Sequence, residues 1–142
     1  MPSFTSQIAN LQTVGPVAEL MVAVGTPVEA ALKKSNNPVP TPVRIVGMID
    51  TGASGTVLQE GVPKQLGLQP VGVVSINTPS STNVSSYEYL VRLVFPNNVV
   101  VETTAIEAPL QGQHIQCLIG RDTLAHGVLV YIGYANTFSL SF

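Results

Sequence analysis

The chain has 142 residues, of which only 10% are charged, against roughly 25% in an average soluble domain. Lys plus Arg number 6 and Asp plus Glu 8, for a net charge of −2; this excludes the basic stripe that displaces counterions from a nucleic acid. A single cysteine, Cys117, excludes an intrachain disulfide and a cysteine-based zinc site. The length predicts one domain, 1–142. With 45% hydrophobic residues, the sparse charge also predicts a surface for self-association. Residues 1–18 carry no Lys or Arg and no continuous apolar run, so no signal peptide is expected. Thr123 to Phe142 is uncharged, but it holds His126, Gly127, Gly133 and Asn136 and ends in period-two alternation, which argues for strands over a membrane helix. The expectation is a cytoplasmic protein with neither membrane nor nucleic acid as a partner.

In chain order, Val17 to Val24 reads as a strand. Thr26-Pro27-Val28-Glu29 has the form of a capping box, with Thr26 as N-cap and Pro27 at the first helical position. Lys33 and Lys34 suit the negative end of that helix, and Asn36-Asn37-Pro38 stops it. Pro38, Pro40 and Pro42 make a stiff connector into a strand, Val43 to Ile49, which delivers Asp50 at its end. Thr56-Val57-Leu58 is a short apolar piece, followed by a helical turn around Val62 to Leu66. Val71 to Ile76 and Val84 to Phe95 flank the polar segment Asn77 to Asn83 and read as a long hairpin. Pro96-Asn97-Asn98 turns into a strand from Val99 to Ala105. Leu118-Ile119-Gly120 precedes a short helix, Arg121 to His126. Val128 to Ile132 and Thr137 to Phe142 form a last hairpin. The fold class is all-β with two or three short helices.

The chain has two aspartates, Asp50 and Asp122, each beside a glycine at the end of an apolar run. Asp50-Thr51-Gly52-Ala53-Ser54 follows Val46-Gly47-Met48-Ile49, and Asp122 ends Leu118-Ile119-Gly120-Arg121-Asp122. Asp, Thr and Gly are also ordinary turn residues. An apolar strand leading into the first run, the polar-tipped hairpin between the two runs and their order give that run more than a turn's content.

This arrangement resembles the retropepsin-like aspartic proteases, over Ile49 to Leu58, the hairpin from about Val71 to Phe95, and Leu118 onward. The resemblance implies a closed β-barrel or sandwich with a flap hairpin, and an aspartic endopeptidase that needs no metal or other cofactor. Asp50 would be the catalytic carboxylate. Thr51 would brace two such turns across a dimer axis, Gly52 would leave room for substrate backbone, and Ala53 and Ser54 would line the floor, Ser54 bonding substrate or Arg121. Ile76, Asn77, Thr78, Pro79, Ser80 and Ser81 would form the flap over a peptide or protein substrate. Gly120, Arg121 and Asp122 would pack behind the turn. Hydrolysis by paired carboxylates requires a second aspartate, so a homodimer is implied. Its interface is expected to be the amphipathic strand Thr137 to Phe142, an apolar edge that needs a partner. The sequence departs from the retroviral pattern in its glycine-free flap tip, in Ser54 where an acidic residue stands, and in the long stretch Thr26 to Pro42.

Cys117 with His114 or His126 is the competing nucleophile, but a thiol between Gln116 and Leu118 in a strand-like run reads as buried core. Tyr87 and Tyr89 straddle Glu88 and read as core or flap packing. A non-catalytic dimeric peptide-binding module on the same fold is the alternative of another class.

Overall fold

A computed structural model describes residues 1–78, 81–110 and 113–142, with backbone alone for residues 78 and 81–83. The strands are β1 (Ser3–Gln7), β2 (Val17–Val24), β3 (Val43–Ile49), β4 (Val57–Gln59), β5 (Gly72–Thr78), β6 (Ser81–Phe95), β7 (Val99–Ala108), β8 (Cys117–Ile119), β9 (Val128–Ile132) and β10 (Thr137–Ser141). The helices are short: α1 (Leu11–Val14), α2 (Thr26–Lys34), α3 (Val62–Gln65) and α4 (Arg121–Leu124). Among the described residues the chain is mostly strand with a few short helices, as the sequence leads one to expect.

One sheet runs β2-β3-β8-β4-β7-β6-β5, and β2 also pairs with β6, from Met21↔Val94 to Val24↔Val91. That pairing closes β2, β3, β8, β4, β7 and β6 into a six-stranded barrel, which leaves those strands no free edge at the closure. Period-two alternation fills it: Leu20, Val22 and Val24 of β2, Ile45 and Ile49 of β3, and Tyr89, Val91, Leu93 and Phe95 of β6 are buried. Tyr87, on the same side of β6, is exposed instead. Among the described residues, β7 pairs with β6 only from Glu88 onward, and β5 pairs only with β6. The hairpin from Val73 to Tyr87 therefore projects beyond the barrel, held by its own ladder.

The second sheet, β1-β10-β9, packs against the barrel through aromatics. Phe4 stacks on Phe95 at a centroid distance of 5.5 Å and meets Phe138 edge-on at 6.0 Å. This corrects the expectation for the C-terminal strand. β10 is the central strand, paired with β1 on one side and β9 on the other, and Phe138 and Leu140 are fully buried within the chain. β1 is not legible in Ser3–Gln7, where Phe4 is the single strong apolar residue; its partner β10 makes it a strand. Thr123 to Phe142 forms α4's last turns and this hairpin, and among the described residues no helix is long and apolar enough to cross a membrane.

The capping box does not form. Gly25 is the N-cap of α2, with Thr26 already helical. The carboxylate of Glu102, on β7, accepts the Thr26 N–H from outside the helix, while Glu29 turns to Lys33 at 2.8 Å and Arg92 at 2.6 Å. The first part of the long stretch Thr26 to Pro42 is thus a helix, α2, pinned to the barrel wall by β6 and β7.

Candidate active site

β3 and β4 follow each other in sequence but are not neighbours: β8 lies between them, parallel to β3 and antiparallel to β4. The connection from Asp50 to Thr56 must cross the end of β8, and it opens where β3 leaves the barrel. The Asp50 N–H extends the β3–β8 ladder onto Ile119 O at 2.9 Å. The chain then turns tightly, with Ala53 N–H donating to Asp50 O at 3.2 Å and Gly52 N–H to Asp50 Oδ1 at 2.9 Å. A backbone donor on a carboxylate oxygen fixes the direction of the group. A Cβ at position 52 would lie 3.1 Å from that same oxygen, so glycine there keeps the approach to Asp50 open. Asp50 is half-buried, and Thr51 and Gly52 are exposed.

The turn is held from behind by the start of α4. Arg121 N–H donates to Ala53 O at 2.9 Å, Asp122 N–H to Ser54 O at 3.2 Å, and Arg121 Nη1 to Thr51 O at 2.7 Å. Ala53 and Ser54 act here through their carbonyls, and the Arg121 guanidinium is aimed at Thr51 and not at the Ser54 hydroxyl. Asp122 does not reach toward Asp50 as a second acid. Its Oδ2 accepts Thr56 N–H at 3.1 Å, and its Oδ1 accepts Thr56 Oγ1 at 2.8 Å and Thr123 N–H at 2.7 Å. Thr56 Oγ1 also accepts Gly120 N–H at 3.1 Å and lies 2.6 Å from Thr123 Oγ1, which is 3.0 Å from Thr103 Oγ1. Thr56 and Thr123 are fully buried. Gly120 is packed so closely that a Cβ would sit 2.4 Å from Gly55 O. The buried threonines escape sequence reading, because Thr56 looks like the first residue of an ordinary strand.

Alternation along β3 puts Val46, Met48 and Asp50 on one side, opposite the core residues Ile45 and Ile49. Val46 and Met48 line an open cavity of about 490 Å³ together with Val14, Val17, His114 and Ile115. No charged side chain lines it. On the projecting hairpin Ile76 is half-buried and Asn77 exposed; Thr78 pairs with Ser81, after a register shift following Ile76. Pro79 and Ser80 lie outside the described residues. Cys117 is fully buried, and burial pushes its thiol up to about 12, so it stays protonated and shielded, as a core residue. Among the described residues no three His, Cys, Asp or Glu side chains gather in a way that could hold a metal ion.

Solved structures with a similar course of chain are retroviral and cellular proteases. The EIAV protease complexed with the inhibitor HBY-793 is 18% identical, with a TM-score of 0.49 over 84% of this chain and 92% of that one. A retropepsin-like aspartic protease from Rickettsia conorii is 15% identical, with a TM-score of 0.48 over 97% and 91%. A foamy viral protease-reverse transcriptase is 20% identical at a TM-score of 0.49 over 78% of this chain, which spans 12% of that longer protein. No curated protein matches the chain in sequence. The family model described as "Aspartyl protease" matches residues 36–123, a span that opens before β3, contains both aspartates and runs to the buried Thr123. With that match over more than half its length, the chain belongs to the aspartyl protease family.

Proposed function

We propose that the chain is an endopeptidase of the aspartic type, cleaving peptide bonds as a homodimer with one Asp50 from each subunit. The observation that carries this reading is the disposition of the two aspartates. Asp50 stands at an open turn with a backbone donor on its carboxylate, whereas Asp122 is committed to Thr56 and Thr123. One chain therefore offers one free acid, and hydrolysis without metal or nucleophile needs two. Two Asp50 carboxylates about 3 Å apart hold one proton between them, because they do not both ionise. The ionised one takes a proton from water as it attacks the peptide carbonyl, and the protonated one hydrogen-bonds the developing oxyanion. As the C–N bond breaks, the carboxyl that took the water's proton passes it to the leaving nitrogen, which returns the pair to its singly protonated state.

Thr51, exposed beside Asp50, is the residue placed to brace the paired turns across the two-fold. The substrate lies extended between the turn and the projecting hairpin, adding a strand, with Ile76 above it. The uncharged cavity along Val46 and Met48 takes an apolar side chain beside the scissile bond. The test is a mixed peptide library analysed by mass spectrometry, with wild type and Asp50→Asn at equal concentration. Asp50→Asn keeps the shape and is expected to fold and cleave nothing. Cleavage retained within a few-fold in that variant rules out the mechanism, and a wild type that binds peptides without cleaving them favours a non-catalytic binding module.

A further inference from the structure

Between β7 and β8 the chain leaves the sheet and supplies Gln113, His114 and Ile115 to the wall of the uncharged cavity. Glutamine side chains hold both ends of that excursion. The parallel β3–β8 ladder ends with Gln116 N–H donating to Val46 O at 2.8 Å. Were β8 longer at its start, a backbone carbonyl would accept the next donor, Val46 N–H. Gln116 turns its side chain into that place instead, and its Oε1 accepts the N–H at 2.9 Å. One residue thus satisfies both backbone groups of Val46, and the residues before it are released to form the wall. At the other end Gln59, on β4, reaches past the end of β7, and its Oε1 accepts Leu110 N–H at 2.8 Å. The two glutamines are joined, since Gln59 N–H donates to Gln116 O at 2.9 Å. We infer that Gln116 and Gln59 are positioning residues for substrate selection. They hold the cavity wall at a fixed distance from Val46 and Met48, and so set which side chain fits beside the scissile bond.

The inference rests on the reading of this cavity as a place for substrate; three observations give the glutamines their role in it. Val46 lines the cavity with its side chain and is tied to the wall through its backbone. The spacing of the two sides is therefore set by the bonds of Gln116 and not by whatever fills the cavity. Leu110 and Ile115 are buried and root the wall, while Gln113 and His114, which line the cavity, are exposed. Neither Gln59 nor Gln116 lines the cavity, and the Asp50 turn is held by a different set of bonds, from Arg121 and Asp122. Loss of either Oε1 therefore loosens the wall and leaves the bonds behind the turn in place.

The experiment compares wild type, Gln116→Met, Gln116→Glu and Gln59→Met on a peptide library in which only the residue beside the scissile bond varies, from Ala to Leu to Phe. Methionine matches the length and removes the acceptor; glutamate keeps it. Both methionine variants are expected to lose about ten-fold of the preference for the best residue over alanine, through KM, with kcat within about two-fold. Gln116→Glu is expected to keep the wild-type preference. A general loss of stability slows every peptide alike, so it does not imitate this change. Val46 N–H is also expected to exchange with solvent faster in Gln116→Met than in wild type, and equal exchange counts against the bond. A folded, cleaving Gln116→Met with the wild-type preference overturns the inference and leaves the protease reading intact. A wild type that cleaves none of the library overturns the protease reading and the inference with it. Should Gln116→Met unfold, Gln59→Met decides, and an unchanged preference there counts against the proposal.

Discussion

The Thr56 hydroxyl has three partners behind the turn. It donates to Asp122 and accepts from Gly120 N–H. Thr56→Val keeps the volume but leaves the buried Gly120 N–H without its acceptor, while Asp122 Oδ1 keeps the Thr123 N–H. Such an orphan costs about 1–3 kcal/mol, so the variant should lose several degrees of Tm and most of its activity, whereas Thr56→Ser should retain both. Differential scanning calorimetry beside a peptide assay decides it; equal melting of all three proteins would count against the network. Gly120→Ala is expected to be worse, since the added Cβ meets Gly55 backbone and not a mobile side chain. At this scale the sequence is half legible. Asp50, Thr51 and Gly52 announce themselves because their chemistry is local: a carboxylate, a small polar residue and a glycine that leaves an oxygen uncrowded. Thr56 and Thr103 do not, because their importance comes from Asp122 and Thr123, which only the folded barrel brings to them.

Among the elements, β10 and α2 carry the clearest expectations. Phe138 is fully buried against Phe4, and Phe138→Ala should cost about 3–5 kcal/mol, read as a lower urea midpoint at fixed protein concentration. α2 is held through Glu29, whose carboxyl lies below its usual 4.5 because Lys33 and Arg92 hydrogen-bond it. A carboxyl lowered on folding stabilises above its unfolded value, and the contribution disappears as pH falls through the folded one. Arg92→Met should therefore be less stable than wild type at pH 7, with the gap closing in stronger acid. A gap that widened on acidification would contradict the pairing. Strands β2, β3, β5, β6 and β7 are legible from alternation, because their partners only confirm what the period dictates; β4 and β8, three residues each, are too short to show a period. The start of α2 is not: Thr26-Pro27-Val28-Glu29 satisfies the local capping pattern, yet a carboxylate from β7 wins the helix N-terminus and moves the cap to Gly25. The role of β10 escapes for the same reason, since an amphipathic strand is an edge or a centre according to neighbours such as β1.

At the scale of the molecule, the proposed dimer would bring two carboxylates together, and such a pair titrates as a unit. Cleavage should peak below neutral pH and decline as the pair loses its last proton. A rate–pH profile from pH 3 to 9 checks this, and a rate climbing steadily to pH 9 would point to a nucleophilic enzyme. The threading of β8 between β3 and β4 bears on how the molecule is made. Gly47 pairs with Cys117, and Asp50 N–H with Ile119 O, so the catalytic turn is fixed by contacts about seventy residues distant in the chain. Closing so long a loop is an entropic cost that delays such pairings in folding. A nascent chain on the ribosome therefore carries Asp50 through about seventy further residues of synthesis before the strand that aims it exists. On the proposed function, cleavage then waits for residues 117–123 to emerge and fold against this turn.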